Sequence, residues 1–100
     1  MIVIAGKITV KAETRDEAVQ VALKMAAASR AENGCHGYTF YASLTDPNAF
    51  FIFEEWEDDA ALARHFETPH MAEFQAQIPR FVAGDLEIKR YVVDDVTKLM

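Results

Sequence analysis

Seven of the chain's eleven aromatic side chains fall in two short runs, residues 38–44 and 50–56, with Thr45-Asp46-Pro47-Asn48 between them. That spacing leaves room for one connection, a hairpin. Asp and Asn fold back on their own backbone, and Pro presets φ and cannot continue into a central strand. A lone two-stranded hairpin is marginal in water, so the rest of the chain must supply a cover for these large side chains.

Residues 2–10 are almost all β-branched or small and apolar, ending in the alternation Lys7-Ile8-Thr9-Val10-Lys11. This pattern predicts a strand largely covered on both faces. Thr14-Arg15-Asp16-Glu17 has the spacing of a capping box, with Thr14 capping the Glu17 amide. Behind it, Ala18, Val21, Ala22, Met25, Ala26 and Ser29 recur at helical spacing, which predicts an amphipathic helix over 15–33 with Gly34 as its C-terminal cap. After the hairpin, Asp58 or Asp59 starts a short helix with Leu62, His65 and Phe66 on one side. Thr68-Pro69 starts another that turns Met71, Phe74 and Ile78 inward. Gly84-Asp85 makes a turn before a last strand over 86–93.

The order is β-α-β-β-α-β, which predicts an α+β ferredoxin-like plan: a four-stranded antiparallel sheet with helices on one face, spanning residues 1–100 as one domain. The strands carry apolar residues at both parities (Ile2 and Val3, Phe40 and Tyr41, Tyr91 and Val92). The face without helices therefore needs a cover, and a second copy of the same sheet is the simplest one. A homodimer through that face is the expectation.

Composition narrows the function classes. With 51% hydrophobic residues in 100, the chain can bury a real core. Ten Lys and Arg against sixteen Asp and Glu leave a charge of −6, which argues against a nucleic-acid surface and against docking on an anionic membrane. No apolar run approaches the roughly 18–20 residues of a spanning helix. The start, Met1-Ile2-Val3-Ile4-Ala5, has no basic region ahead of its apolar stretch, unlike a signal peptide. The single cysteine, Cys35, excludes an internal disulfide and a multi-cysteine zinc site. A cytoplasmic protein is the expectation.

The stretch from Glu32 to Met71 carries a recognisable series. Glu32-x-Gly34-Cys35-x-x-Tyr38 precedes Phe50-x-x-Phe53-Glu54-Glu55-Trp56, then Asp58-Asp59-Ala60-Ala61-Leu62, then His65-Phe66-Glu67-Thr68-Pro69-His70-Met71. In that order and spacing the chain resembles the antibiotic biosynthesis monooxygenase family, most closely its quinol monooxygenase-like members. The resemblance implies a dimeric α/β-barrel of two ferredoxin-like sheets, with a cavity between helices and sheet. It also implies oxygen insertion into electron-rich phenols without flavin, haem or metal. Haem-degrading relatives place an Asn in the first strand and a Trp on the second helical region. Here those regions offer Ala5 and Gly6, and His65, so the haem-degrading pattern is absent. An isomerase of a phosphorylated signal molecule shares the His-x-x-Thr-Pro-His-like segment, and the shared residues do not separate the two chemistries.

His65 is the first candidate for catalysis. Its helical position aims it inward with Leu62, and an imidazole of reference pKa about 6.5 can take a phenolic proton near neutrality. The competing reading is a packed histidine bonded to a backbone carbonyl. Glu54 shares a strand face with Ile52 and Trp56; it could orient His65 or hold a substrate hydroxyl, or be a solvated charge of the acidic run 54–59. Trp56, Tyr38, Phe66 and His70 are candidates for lining a substrate pocket, each with a packing or surface alternative. His65 and His70 are five apart, poor for joint ligation on one continuous helix face, and His36 sits in a turn, so no metal site is expected. Four glycines build no phosphate-cradling loop, in keeping with no nucleotide or flavin. Cys35, a lone thiol, reads as structural.

These readings converge on a homodimer that oxidises a small hydroquinone or phenol with molecular oxygen. Two alternatives stay open. An isomerase would need a cation in the pocket, with Lys24, Arg30 and Arg64 to choose from. A non-enzymatic small-molecule binder would keep the cavity and tolerate loss of His65.

Overall fold

The two aromatic runs form the hairpin their spacing requires. In the computed structural model, which describes all 100 residues, the chain runs β1 (Ile2–Thr9), α1 (Arg15–Arg30), β2 (Cys35–Ala42), β3 (Ala49–Trp56), α2 (Asp59–Phe66), α3 (Pro69–Gln77) and β4 (Glu87–Val92). β2 pairs antiparallel with β3, placing Tyr38 opposite Glu54 and Phe40 opposite Ile52, with a bulge at His36 between Cys35 and Gly37. β1 takes the other edge of β3 and then pairs with β4, giving the antiparallel order β2-β3-β1-β4. This is the ferredoxin-like α+β plan expected from the element order.

The period of two along each strand sorts its side chains. Ile2, Ile4 and Ile8 of β1, Ile52, Glu54 and Trp56 of β3, and Tyr38 of β2 face the helices and are buried. With Met25 and Ala26 of α1, Leu62 of α2 and Phe81, the apolar members of this set make one contiguous core. Trp56 is fully buried; truncating such a tryptophan to Ala costs about 3–5 kcal/mol. Gly6 lies between Ile52 and Ile88 in the sheet, where an added Cβ would overlap the Glu87 carbonyl and the Ile88 backbone. β4 can approach β1 this closely only because residue 6 has no side chain.

The ends of α1 depart from the sequence reading. A single 3-10 turn over 12–14 precedes the helix and holds Thr14 at φ −115°, ψ 8°, outside the extended conformation of an N-cap. Its hydroxyl donates to the Lys11 carbonyl, and Glu17 pairs instead with Arg80 at 3.0 Å, so the capping box does not form. At the other end α1 stops at Arg30 rather than 33. Gly34, at φ +88°, belongs to the turn into β2, where a Cβ would sit 2.7 Å from that of Ala61 on α2. The Arg30 guanidinium, donating to the Tyr38 carbonyl at 2.6 Å, ties the helix end to β2.

The next two helix starts follow the sequence. Asp58 accepts from the Ala61 amide and Thr68 from the Met71 amide, with Pro69 in the first turn of α3. The chain therefore breaks at Glu67–Thr68, where Thr68 is extended at φ −74°, ψ 150° between α2 and α3.

On the face without helices, Tyr41, Phe51, Phe53 and Tyr91 are 37–54% exposed. Lys7, Glu55, Glu87 and Lys89 stand among them in register. β1 is thus buried on its helix side only; its other face is half-covered, with Lys7 exposed. No helix is long and apolar enough to cross a membrane.

Candidate active site

Four elements and one loop converge at the Trp56 end of the hairpin. α2 buries one side through Ala61, Leu62 and His65, the helical spacing read from the sequence, and leaves Phe66 half exposed. His65 is 1% exposed. Its ring packs against Trp56, with centroids 4.6 Å apart, and lies 5.6 Å from the rings of both Tyr38 and Phe66.

A buried imidazole needs a partner for its N–H, and the partner is Glu32, in the turn between α1 and β2. Its Oε2 lies 2.6 Å from His65 Nδ1 and 2.7 Å from His70 Nε2. A carboxylate oxygen only accepts, so both rings donate to the same atom. For His65 this fixes the tautomer with hydrogen on Nδ1 and leaves a lone pair on Nε2. The backbone-carbonyl alternative for His65 is thereby replaced by a carboxylate–imidazole pair.

Glu54 is not the group that orients His65. Its Oε1 accepts from Trp56 Nε1 at 2.9 Å, one strand pleat away. Nor is it a solvated charge: it is 7% exposed, and burial, opposed by the Trp56 hydrogen bond and reinforced by the Glu32 charge, raises its carboxyl from 4.5 to about 7. Near neutrality Glu54 is then a proton donor as readily as an acceptor. Burial and the Glu54 charge push the Tyr38 phenol far above its ordinary value, so it stays neutral.

A cavity of about 250 Å³ opens between the sheet and the α2–α3 corner. Tyr38, Glu54, His65 and Phe66 line it, the remainder being apolar apart from Gln75, with Phe40, Ile52 and Met71 among the walls. An engineered apolar cavity of about 150 Å³ holds benzene, so a substituted single ring fits here. Trp56 does not reach the cavity; it backs His65 and Glu54 instead. His70 faces a neighbouring groove between α1 and α3 and is tied to the site by its hydrogen bond to Glu32. Cys35, with its Sγ 3.6 Å from the Gly37 carbonyl, and the exposed His36 take no part.

The spacing argument against joint ligation assumed one helix through His65 and His70. The break at Thr68 removes that premise: the two ring centroids are 6.0 Å apart, and their facing nitrogens and Glu32 Oε2 lie within 4.8 Å of one another. Glu32 was legible only as part of the series of motifs, because its partners are 33 and 38 positions away.

The family model described as antibiotic biosynthesis monooxygenase matches residues 1–77, a span that includes Glu32, Tyr38, Glu54, His65 and His70. The chain belongs to that family. Among curated relatives, an uncharacterized Synechocystis protein, sll1783, is 39% identical over 98 residues, covering 98% of this chain and 67% of that protein. The Bacillus subtilis protein YcnE, named a candidate monooxygenase, is 34% identical over 90% of this chain and 95% of its own length. A Deinococcus radiodurans structure, described as a candidate antibiotic biosynthesis monooxygenase, superposes with a TM-score of 0.92 at 27% identity, over 100% of this chain and 99% of that one. The match to the antibiotic biosynthesis monooxygenase model ends before β4 (Glu87–Val92), which the Deinococcus structure covers.

Proposed function

We propose that this chain is a cofactor-independent monooxygenase that oxidises a small hydroquinone or related phenol with molecular oxygen. One observation carries the reading: a ring-sized, mostly apolar cavity holds an oriented imidazole base and a carboxyl raised to about 7. The same lining disfavours an isomerase of a phosphorylated substrate. Arg30 is engaged with the Tyr38 carbonyl, Lys24 with Glu73 on the surface, and neither they nor Arg64 line the cavity.

In this scheme His65 Nε2 takes the phenolic proton, and Glu32, holding Nδ1–H, stabilises the imidazolium that forms. Tyr38 or neutral Glu54 donates a hydrogen bond to the substrate oxygen. The electron-rich phenolate gives one electron to dioxygen, and the resulting radical pair joins as a ring-carbon hydroperoxide. The imidazolium gives the hydroperoxide its proton; as the O–O bond breaks, the ring carbon loses its hydrogen as a proton to His65, and the leaving hydroxide takes that proton to give water and neutral imidazole. One hydroquinone and one dioxygen give one hydroxyquinone and one water. The protein supplies desolvation, proton transfer and orientation.

The homodimer belongs to the same proposal. A second sheet laid on Tyr41, Phe51, Phe53 and Tyr91 would bury the aromatic patch and pair lysines with glutamates across a two-fold axis.

The test is oxygen uptake by metal-stripped protein with a panel of hydroquinones, measured above autoxidation. Wild type should consume oxygen, and His65→Ala should be slower by about 10²–10⁴-fold, the usual worth of a general base. No protein-dependent uptake with any substrate would remove the oxygenase reading. Uptake that survives His65→Ala would remove the base.

A further inference from the structure

The Glu32–His65–His70 cluster offers more than an oriented base. Two imidazole nitrogens and one carboxylate oxygen from three separate segments converge within 4.8 Å. Each comes from a position of limited freedom: Glu32 from the turn after α1, His65 from the buried side of α2, His70 from the first turn of α3. The donor set of two imidazoles and one carboxylate suits zinc and its neighbours. Calcium and magnesium, which want oxygen ligands throughout, suit it poorly.

We infer that Glu32, His65 and His70 form a binding site for one divalent transition ion of the zinc type, and that the ion and the base function of His65 exclude each other. The second half rests on the proposed function; the first does not.

The geometry supports the site as follows. Tetrahedral zinc with bonds of about 2.0–2.1 Å keeps its ligand atoms about 3.4 Å apart. Glu32 Oε2 is already closer than that to both nitrogens, at 2.6 and 2.7 Å, so the ion enters by displacing the two shared protons and spreading the carboxylate away. His70, with its side chain 25% exposed, can swing to close the remaining nitrogen–nitrogen separation and leaves a path for the ion from solvent. The carboxylate supplies one negative charge, and a chain of net charge −6 favours cation approach. One or two coordination positions remain for water, as in open zinc sites.

The exclusion follows from proton placement. Without an ion, Nδ1 of His65 carries hydrogen and Nε2 is the base. An ion on Nδ1 takes that lone pair, so the hydrogen of the neutral ring must sit on Nε2. The cavity then meets a hydrogen-bond donor where it had a base.

The experiment titrates metal-stripped protein with Co²⁺, read by its visible ligand-field bands, and with Zn²⁺, read by calorimetry. Wild type should bind one ion per chain. Glu32→Gln and His70→Ala should each weaken binding at least about 100-fold, beyond the 10–100-fold typical of an outer-shell loss. His36→Ala, at an exposed histidine, should leave it unchanged. Absence of saturable 1:1 binding, or equal affinity in all four proteins, overturns the site. Where hydroquinone-dependent oxygen uptake is present, zinc should abolish it with a midpoint that follows the binding curve. Full uptake at saturating zinc overturns the exclusion while leaving the site. Because binding is read without turnover, failure of the oxygenase reading leaves the metal result intact.

Discussion

Glu54→Gln isolates the electrostatic cost built into the cavity. Holding the Glu54 carboxyl at about 7 against 4.5 corresponds to about 3 kcal/mol between its neutral and ionised forms in the folded protein. The folded state binds this proton more tightly than the unfolded state does. The contribution is therefore fully present below about 4.5 and is lost as pH rises through the window from 4.5 to about 7. Gln keeps an oxygen for Trp56 Nε1 and cannot ionise, so its difference from wild type cancels every other titrating group. The assay is urea unfolding from pH 4 to 8.5 at one fixed protein concentration, which holds any association constant across the comparison. Trp56, the only tryptophan, touches both His65 and Glu54 and reports the transition. Near pH 4 the two proteins should unfold at similar urea concentrations. By pH 8 the Gln protein should be more stable by about 3 kcal/mol, a midpoint difference on the order of 1–3 M urea. Parallel curves across the whole range would refute the claim that burial holds this carboxyl neutral.

Three further outcomes are expected. Glu32→Gln keeps the shape of the side chain but loses the charge opposite the imidazolium, so kcat for hydroquinone oxidation should fall about 10–100-fold with KM little changed; an unchanged kcat would leave Glu32 no role in the chemistry. Gly6→Ala drives a Cβ into the β4 backbone and should destabilise by about 3 kcal/mol or more in chemical denaturation; a loss under about 1 kcal/mol would mean that β4 is not held this close. Phe51→Lys with Phe53→Lys places charge in the exposed aromatic patch; on the proposed dimer, wild type should sediment as two chains and this variant as one, and a dimer that survives both changes would move the interface elsewhere.

The sequence carried the fold because its signals are local and agree with one another. The alternation in β1, the stripe of α1, the turn at 45–48 and the caps at Asp58 and Thr68 each act within a few residues, and together they admit few topologies. The misreadings at α1 are local too: a Thr-x-x-Glu spacing specifies which atoms could meet, but the 3-10 turn ahead of it decided Thr14's backbone angles. The site was legible only where a side chain's direction follows from its own element, as for His65 on α2 and for Tyr38 and Glu54 on the helix-facing side of the hairpin. Trp56 shares that face yet lies too deep to reach the cavity, since strand parity gives direction and not depth.

Glu32 marks where such reasoning stops, and the structure gives the physical reason. No periodicity links a turn residue to partners 33 and 38 positions away; only the packing of α2 against the turn into β2, permitted by Gly34, brings them together. The same contact underlies the proposed chemistry. With His65 buried and its Nδ1 claimed by Glu32, Nε2 is left as the nitrogen available to the cavity, and Glu54 is separated from the imidazole by its bond to Trp56. Two carboxyl groups that look interchangeable in the sequence are thereby given opposite tasks. On the proposed scheme Glu32, 13% exposed and accepting from two N–H donors, is the anion that holds the base, while Glu54, desolvated and with one donor, is the group able to carry a proton at neutral pH. Exchanging these two environments would, on the proposed scheme, leave His65 without the anion that orients it.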